Sequence, residues 1–201
     1  MLSFDALTHT YTVNGRAVPS VTARIAAAGL LGPAASFYTA HGASRGQRVH
    51  LACRHLDEGT DITLPPGERG YLRSYERWRD AMRPRWTALE EPHYSATYKT
   101  AGTADRLGVL QGPVVVDLKT GGATRWHGIQ LACYDLLHED LAPRERRRLV
   151  LHLSPDGRMA QSVEYHDAHD YLLALELLEG HTDGPNRPDD RACPAGIDGQ
   201  P

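Results

Sequence analysis

The chain has 201 residues, of which 41% are hydrophobic and 23% are charged, the composition of an ordinary globular domain. Its net charge of −3 excludes a protein that binds nucleic acid through uniformly spread positive charge, so a DNA-acting protein of this composition has to concentrate its basic residues locally. No apolar run approaches the roughly 18 residues of a membrane span, and no basic segment followed by an apolar core opens the chain, so we expect neither a membrane protein nor a secreted one.

The cysteines and the composition of the last residues indicate the compartment and the domain organisation. Cys53, Cys133 and Cys193 are widely spaced and odd in number, which suits a reducing cytoplasm and provides no zinc-type pair. Residues 181–201 are rich in Gly, Pro and Asp and have few apolar residues. We predict a cytoplasmic protein with one domain over residues 1–180 and a disordered tail over 181–201.

A hairpin and a capped helix are predicted near the N-terminus. Residues 9–18 alternate around Asn14-Gly15, the strongest short-range hairpin signal. Ser20 follows as the N-cap of a helix that closes near Gly29. Ser20 and Thr22 are also candidates for contacts with a DNA phosphate, although capping is the more ordinary role.

Three further helices are predicted before the main strands, over residues 33–42, 44–57 and 68–83. In the second helix, His50 lies beside a stripe of apolar residues at core spacing. In the third, which is amphipathic, the polar face has Arg73 and Arg77 four residues apart. These arginines either follow a phosphate backbone or belong to an ordinary solvated surface.

The stretch around residues 106–118 carries the strongest chemical signal. Two apolar runs flank Gln111-Gly112-Pro113, which predicts an antiparallel hairpin. If the turn is centred on residue 111, the loop length is odd and Asp105 and Asp117 face each other across the strands. Opposed like charges are destabilising unless a cation offsets them, and Mg²⁺ prefers oxygen ligands.

Lys119 lies on the same strand face as Asp117, because side chains alternate along a strand. The basic residues of this chain are overwhelmingly arginine, so a lysine at this position is informative. A compact ammonium group can approach a nucleophile more closely than the planar guanidinium group can.

The second half of the chain alternates strands and helices. Residues 86–99 predict one or two core strands, and the run Arg144–Arg148 is either a DNA-binding patch or a solvated loop. The remaining elements are a helix over 124–140, a strand over 149–154, a returning strand over 158–165 and a terminal helix over 167–180. This order predicts an α/β sandwich around a central mixed sheet flanked by helices.

Four motifs occur in an order that resembles the PD-(D/E)XK nucleases, and within them the RecB and phage-exonuclease branch. The motifs are Gly46-x-x-x-His50, Gly102-Thr-Ala-Asp105, Asp117-Leu-Lys-Thr-Gly121 and Gln130-x-x-x-Tyr134. The entry Pro-Ser-Val-Thr at residues 19–22 is similar to that of phage-encoded exonucleases and of mitochondrial genome maintenance exonucleases. The resemblance spans residues 8–137 and implies a restriction-endonuclease-like fold with an α-β-β-β-α-β core.

The resemblance also implies roles for individual residues in metal-dependent phosphodiester hydrolysis. One or two Mg²⁺ or Mn²⁺ ions would be held by His50, Asp105, Asp117 and the backbone carbonyl of Leu118. The further catalytic candidates are Lys119, Gln130 and an acidic residue, which is Glu91 by its Glu-Pro context, although spacing does not exclude Glu90. The DNA-binding candidates are Ser20, Thr22, Thr120, Tyr134, Arg73 and Arg77. Some relatives in this branch hold an Fe–S cluster on four cysteines, and with three cysteines we expect no cluster here.

The function that the resemblance implies is a DNA exonuclease acting at single- or double-stranded ends in phage or prophage recombination, replication or repair, with a recombination protein as a partner. Two alternatives stay open. One is a structure-selective endonuclease or resolvase with the same site, and the other is an inactive nuclease-fold subunit that binds DNA.

Overall fold

The computed structural model describes residues 1–5, 8–31, 40–138 and 145–180. The strands are β1 (Leu2–Asp5), β2 (Thr10–Val13), β3 (Arg16–Val18), β4 (Arg85–Leu89), β5 (Pro92–Ser95), β6 (Thr100–Thr103), β7 (Arg106–Val109), β8 (Pro113–Lys119), β9 (Arg147–His152) and β10 (Gln161–Glu164). The helices are α1 (Val21–Ala27), α2 (Ala40–Asp57), α3 (Arg69–Met82), α4 (Trp126–Leu137) and α5 (His169–Glu179), with a short 3₁₀ turn at Pro66–Glu68. Within the described ranges, no helix combines the length and apolar character needed to cross a bilayer.

A mixed sheet with the order β10-β9-β8-β7-β4 forms the centre of the described structure. Strands β8 and β9 pair in parallel, and the other neighbours pair antiparallel. The parallel pair is joined through α4, as a parallel connection requires a crossover. The apolar run Val114–Val116 is fully buried in β8, as expected for a central strand that is covered on both faces. The predicted mixed α/β architecture is confirmed.

Alternation along β8 separates two apolar cores. Val116 and Leu118 pack with α2 and α3 on one face, in a cluster that includes Tyr75 and Trp78. Val115 belongs to the cluster on the other face, which α1, α4 and α5 cover. The sheet is therefore a middle layer between two layers of helices.

Helix α4 is buried along its whole length. Gly128 allows its close approach to α5, because a Cβ atom built there would lie 2.4 Å from Asp170 Oδ2. A helix without a solvent face has to supply partners for its polar side chains, since an unpaired buried polar group is costly. This constraint explains the hydrogen bonds of Gln130 and Asp135 described below.

Two small sheets lie outside the central one. Strands β1, β2 and β3 form the first, and Asn14-Gly15 makes the predicted turn with φ values of 51° and 78°. Strands β5 and β6 form the second. The prediction that residues 86–99 contribute core strands holds for β4 alone, because the chain turns out of the main sheet at Glu90, where φ is 50°.

Several predicted boundaries differ from those of the structure. Helix α2 begins at Ala40, so residues 40–42 belong to it and not to a separate helix over 33–42, of which residues 33–39 lie outside the described ranges. The predicted tail over 181–201 also lies outside them. Ser20 caps α1 as predicted, its Oγ accepting a hydrogen bond from Ala23 N at 3.0 Å.

Both interpretations of the arginine run are wrong for its buried members. Arg146 is buried and its Nη1 donates to Asp135 Oδ1 at 3.0 Å. Arg148 is buried and its Nη1 donates to Asp170 Oδ2 at 2.9 Å. These arginines are structural ion-pair partners and not a DNA patch or a solvated loop, because Arg148 on β9 reaches Asp170 of α5 and Arg146, just before β9, reaches Asp135 of α4.

Candidate active site

The register of the β7–β8 hairpin brings the two predicted aspartates together. Val109 pairs with Pro113 and Arg106 pairs with Val116, which leaves the three-residue loop 110–112. The odd loop length is therefore confirmed, with Gln111 at a φ of 55°. The next step of this register places Asp105 opposite Asp117, and both residues are buried.

Asp105 is held from two sides. Its Oδ2 accepts a hydrogen bond from Leu118 N at 2.6 Å, and its Oδ1 lies 3.3 Å from Nδ1 of His50 on α2. Burial alone would raise the pKa of Asp105, but the charges of His50 and Lys119 and the Leu118 amide lower this pKa to about 2. Asp105 is therefore ionised over the whole physiological range.

The pKa of Asp117 is shifted in the opposite direction, upward. Burial raises its pKa, the charge of Asp105 raises it further, and Lys119 and His50 only partly offset this rise. Its neighbour Asp105 thus carries the fixed negative charge, while a second charge on Asp117 is disfavoured. Two carboxylates whose pKa values are pushed apart in this way are typical of functional sites.

Lys119 joins the acidic pair to α4. Its Nζ lies 2.6 Å from Asp117 Oδ2 and donates to Gln130 Oε1 at 3.2 Å. Gln130 Nε2 in turn donates to Tyr134 OH at 3.2 Å and to Thr22 Oγ1 at 3.5 Å. The predicted residues Thr22, Lys119, Gln130 and Tyr134 thus form one polar chain from β8 to α1.

His50 lies on α2 across from this chain, with its side chain 24% exposed. Burial opposes protonation, but Asp105, Glu90 and Asp117 together raise the pKa of His50 above its ordinary value. His50 and Lys119 therefore provide the positive charge that balances the acidic pair.

The structure brings Glu90, and not Glu91, to the acidic pair. Glu90 N donates to the Asp105 carbonyl oxygen at 3.0 Å, and burial followed by the charge of Asp105 raises the pKa of its carboxyl group. Glu91 is exposed. The Glu-Pro context favoured Glu91 in the sequence, whereas the positive φ of Glu90 turns that side chain toward Asp105 and Arg106.

Sequence reasoning missed the buried arginine beneath the site. The Arg106 Nε donates to Asp57 Oδ2 at 2.7 Å, and its Nη1 donates to the Asp105 carbonyl oxygen at 2.7 Å. The same Nη1 lies 3.3 Å from Glu90 Oε1, and Tyr75 OH donates to Asp57 Oδ2 at 2.6 Å. A charged residue at the start of an otherwise apolar strand was the available signal. Arg106 fixes the backbone of Asp105 and the carboxylate of Glu90 from below.

The other DNA-binding candidates lie in different surroundings. Thr120 directly follows Lys119, and its carbonyl oxygen accepts a hydrogen bond from Arg45 at 3.5 Å. Arg73 and Arg77 are exposed on α3, which covers the sheet face opposite α4. A role for either arginine in DNA binding stays a prediction.

No family model and no curated protein matches the chain. Among solved structures, the crystal structure of SSO0001 is similar over 51% of this chain and 53% of that chain, with 16% sequence identity and a TM-score of 0.30. This chain therefore spans about half the length of that one. A likeness of this size supplies no argument about function, and these comparisons assign the chain to no family.

Proposed function

We propose that the chain is a divalent-metal-dependent deoxyribonuclease of the PD-(D/E)XK type that acts as an exonuclease on DNA ends. One observation carries the proposal: Asp105 and Asp117 are buried opposite each other on one hairpin, with Lys119 contacting Asp117 at 2.6 Å. Hydrolysis of a phosphodiester bond needs an activated water and positive charge around the phosphate, and this arrangement supplies groups for both.

The order of the elements supports the same family. After α3, the central sheet receives β4, β7 and β8, then α4 crosses over and β9 follows. This is the α-β-β-β-α-β order that the motifs imply, with the β5–β6 hairpin inserted after the first strand. The two aspartates lie on the second and third strands of that core or at their ends.

The acidic pair has the chemistry of a site for a hard divalent cation. Among the described residues, no three His, Cys, Asp or Glu side chains form a ready-made metal-binding group. Mg²⁺, however, is commonly held by one or two carboxylates together with waters and substrate phosphates. The buried Asp117 Oδ2 accepts no hydrogen bond of acceptable geometry in the described structure, although Lys119 Nζ is 2.6 Å away. The donor set therefore fits Mg²⁺ or Mn²⁺.

His50, Asp105, Asp117 and the carbonyl of Leu118 would hold one or two such ions. When bound, the metal lowers the pKa of a water molecule and stabilises charge on the phosphate. The described contacts involve the Leu118 amide, so its carbonyl as a ligand rests on the resemblance.

Lys119 is the side chain that would act directly on the attacking water and on the phosphate. Gln130 holds its ammonium group at 3.2 Å, and Tyr134 orients Gln130 from one helical turn further along α4. Held in this way, Lys119 positions the attacking water and offsets the negative charge that develops on the phosphate. Asp105, ionised because of its low pKa, remains available as an anionic ligand throughout.

The exonuclease form and a role in phage or prophage recombination follow from the RecB-like combination of motifs. Residues His50, Gln130 and Tyr134 carry that part of the proposal, since they distinguish this branch from restriction enzymes.

The test is digestion of end-labelled linear DNA and of closed circular DNA, each single- and double-stranded, with Mg²⁺, Mn²⁺ or EDTA. Lys119→Ala should lower the cleavage rate by about 10²–10⁴-fold. The matched control is Lys99→Ala, which removes the chain's other lysine from an exposed turn and should leave the rate unchanged.

Metal-dependent loss of linear DNA alone would support an exonuclease, whereas cutting of the circle would identify an endonuclease with the same site. Cleavage that survives Lys119→Ala would overturn the assigned mechanism. DNA binding without any cleavage would leave an inactive nuclease fold.

A further inference from the structure

Arg45 lies on α2 at the end of the sheet where Lys119 emerges. Its Nη2 donates to the carbonyl oxygen of Thr120 at 3.5 Å, and its guanidinium carbon lies 5.4 Å from the centroid of the Tyr71 ring on α3. The first contact ties Arg45 to the residue after Lys119, and the second is a cation–π contact that limits the motion of the side chain. Arg45 is thus held in place beside the proposed catalytic strand.

Arg45 differs from the neighbouring arginines of α2 because its charge is not paired with a carboxylate of the described residues. Arg48 donates two hydrogen bonds to Glu68, and Arg54 donates to Glu58. No carboxylate of the described residues forms an ion pair with Arg45, and its buried Nε has no hydrogen-bond partner there. A planar guanidinium that is fixed but not neutralised is preorganised to bind a phosphate group.

The loop that follows Thr120 leaves space for such a group. Gly121 and Gly122 are exposed, and a Cβ atom built at either glycine would have no neighbour within 4 Å. The two glycines therefore leave the side of the backbone where a Cβ atom would lie open to close approach by a ligand group. Because DNA has one phosphate per nucleotide, a strand whose scissile phosphate lies at Lys119 presents an adjacent phosphate nearby.

We propose that Arg45, beside the open Gly121-Gly122 loop, binds the phosphate next to the scissile one and so sets the register of the DNA strand on the site. This inference rests on the proposed nuclease function. It assigns a phosphate-binding position that the acidic pair and Lys119 do not provide, and it gives Arg45 a positioning role rather than a catalytic one.

The first test measures the affinity of fluorescein-labelled linear DNA by anisotropy over a series of NaCl concentrations, with Ca²⁺ replacing Mg²⁺ to prevent cleavage. Arg45→Gln should weaken binding by roughly tenfold and reduce the slope of log K against log salt by about 1. Arg54→Gln is the matched control, since it removes an arginine of the same helix that Glu58 already neutralises, and it should change neither value. Thermal melting of each variant checks that the fold is retained, and Arg45→Lys keeps the charge while removing the planar donors.

The second test uses DNA in which single phosphates near the end are replaced, one at a time, by uncharged methylphosphonates. The wild-type protein should lose affinity at the linkage that neighbours the cleavage position, by about the same factor as Arg45→Gln on unmodified DNA. Arg45→Gln should be insensitive to the replacement at that linkage. A merely structural role for Arg45 would weaken binding without removing this position-specific effect.

The outcomes separate the two proposals. If the wild-type protein binds and cuts DNA and Arg45→Gln has the same affinity and the same methylphosphonate profile, the inference about Arg45 fails and the nuclease proposal stands. If the wild-type protein neither binds nor cuts DNA, both fail.

Discussion

Helix α4 contributes to two buried polar clusters that look alike in composition and differ in how their charges are balanced. The first comprises Asp117, Lys119 and Gln130 with the neighbouring His50 and Asp105, at the open end of β8. The second, on the other end of the helix, pairs Arg146 with Asp135, whose second oxygen accepts from Tyr171 OH at 2.6 Å.

In the second cluster both carboxylate oxygens of Asp135 accept hydrogen bonds, one from Arg146 and the other from Tyr171. In the first cluster two carboxylates face each other, the pKa of one is lowered and that of the other is raised. Two facing buried carboxylates whose pKa values are shifted in opposite directions are typical of a functional site, whereas a buried carboxylate with both oxygens hydrogen-bonded is typical of a structural one. This difference supports the proposal that the first cluster is a functional site and the second a structural one.

The largest expected effect is on the proposed cleavage of DNA and comes from the first cluster. Asp117→Asn should reduce cleavage by about 10³-fold or more, because it removes a carboxylate that would hold the proposed metal ion. Removing the charge of Asp117 also removes its repulsion with Asp105, which offsets the lost contact with Lys119, so the variant should lose less free energy of unfolding than Asp135→Asn does. Cleavage assays and urea denaturation measure the two quantities. A variant that unfolds more easily but cuts DNA normally would assign Asp117 a structural role and would contradict its proposed role in cleavage.

The structural cluster should show the opposite pattern. Asp135→Asn removes a buried carboxylate charge that contacts Arg146 at 3.0 Å, so we expect it to lower the free energy of unfolding by about 3–5 kcal/mol. Asp80→Asn, which removes an exposed partner of Arg79, is the control and should cost less than about 1 kcal/mol. Urea denaturation measures both variants, and equal values for the two would contradict the assignment.

A smaller effect should appear in the pH dependence of stability without metal. The folded-state pKa of His50 is raised above its ordinary value of 6.5, so its protonation stabilises the fold fully below pH 6.5, and this contribution is lost as pH rises through the folded-state pKa. In EDTA, the wild-type free energy of unfolding should therefore fall as the pH rises from 6.5 through the folded-state pKa of His50. The His50→Gln variant should not show this fall. His55→Gln, on the same helix, provides the control. If the pH dependence of stability is the same in His50→Gln as in the wild type, then folding does not raise the pKa of His50.

The acidic hairpin was predictable from the sequence because its geometry depends on local spacing. Asp105 and Asp117 lie at equal distances from Gln111, and the alternation of strand side chains then places them opposite each other. The pairing of Gln130 with Tyr134 was predictable for the same reason, since residues four apart share a helix face.

The partners of the arginines were not predictable, because they depend on long-range packing. Arg106 on β7 pairs with Asp57 at the end of α2, and Arg148 on β9 pairs with Asp170 from α5. The choice between Glu90 and Glu91 also escaped sequence reasoning, because it depends on one backbone angle. A positive φ at a glutamate is uncommon and has no local sequence signal.

The parallel pairing of β8 with β9 has a consequence for synthesis on the ribosome. The β7–β8 hairpin closes over three residues and can form early, but the other edge of β8 stays unpaired until α4 and then β9 have been made. Until then the apolar strand Val114–Val116 presents an open edge, the kind of surface that recruits chaperones or other nascent chains. We therefore expect the arrangement of Asp117 and Lys119 to form late in translation, when β9 pairs with β8, although β8 itself has been synthesised earlier.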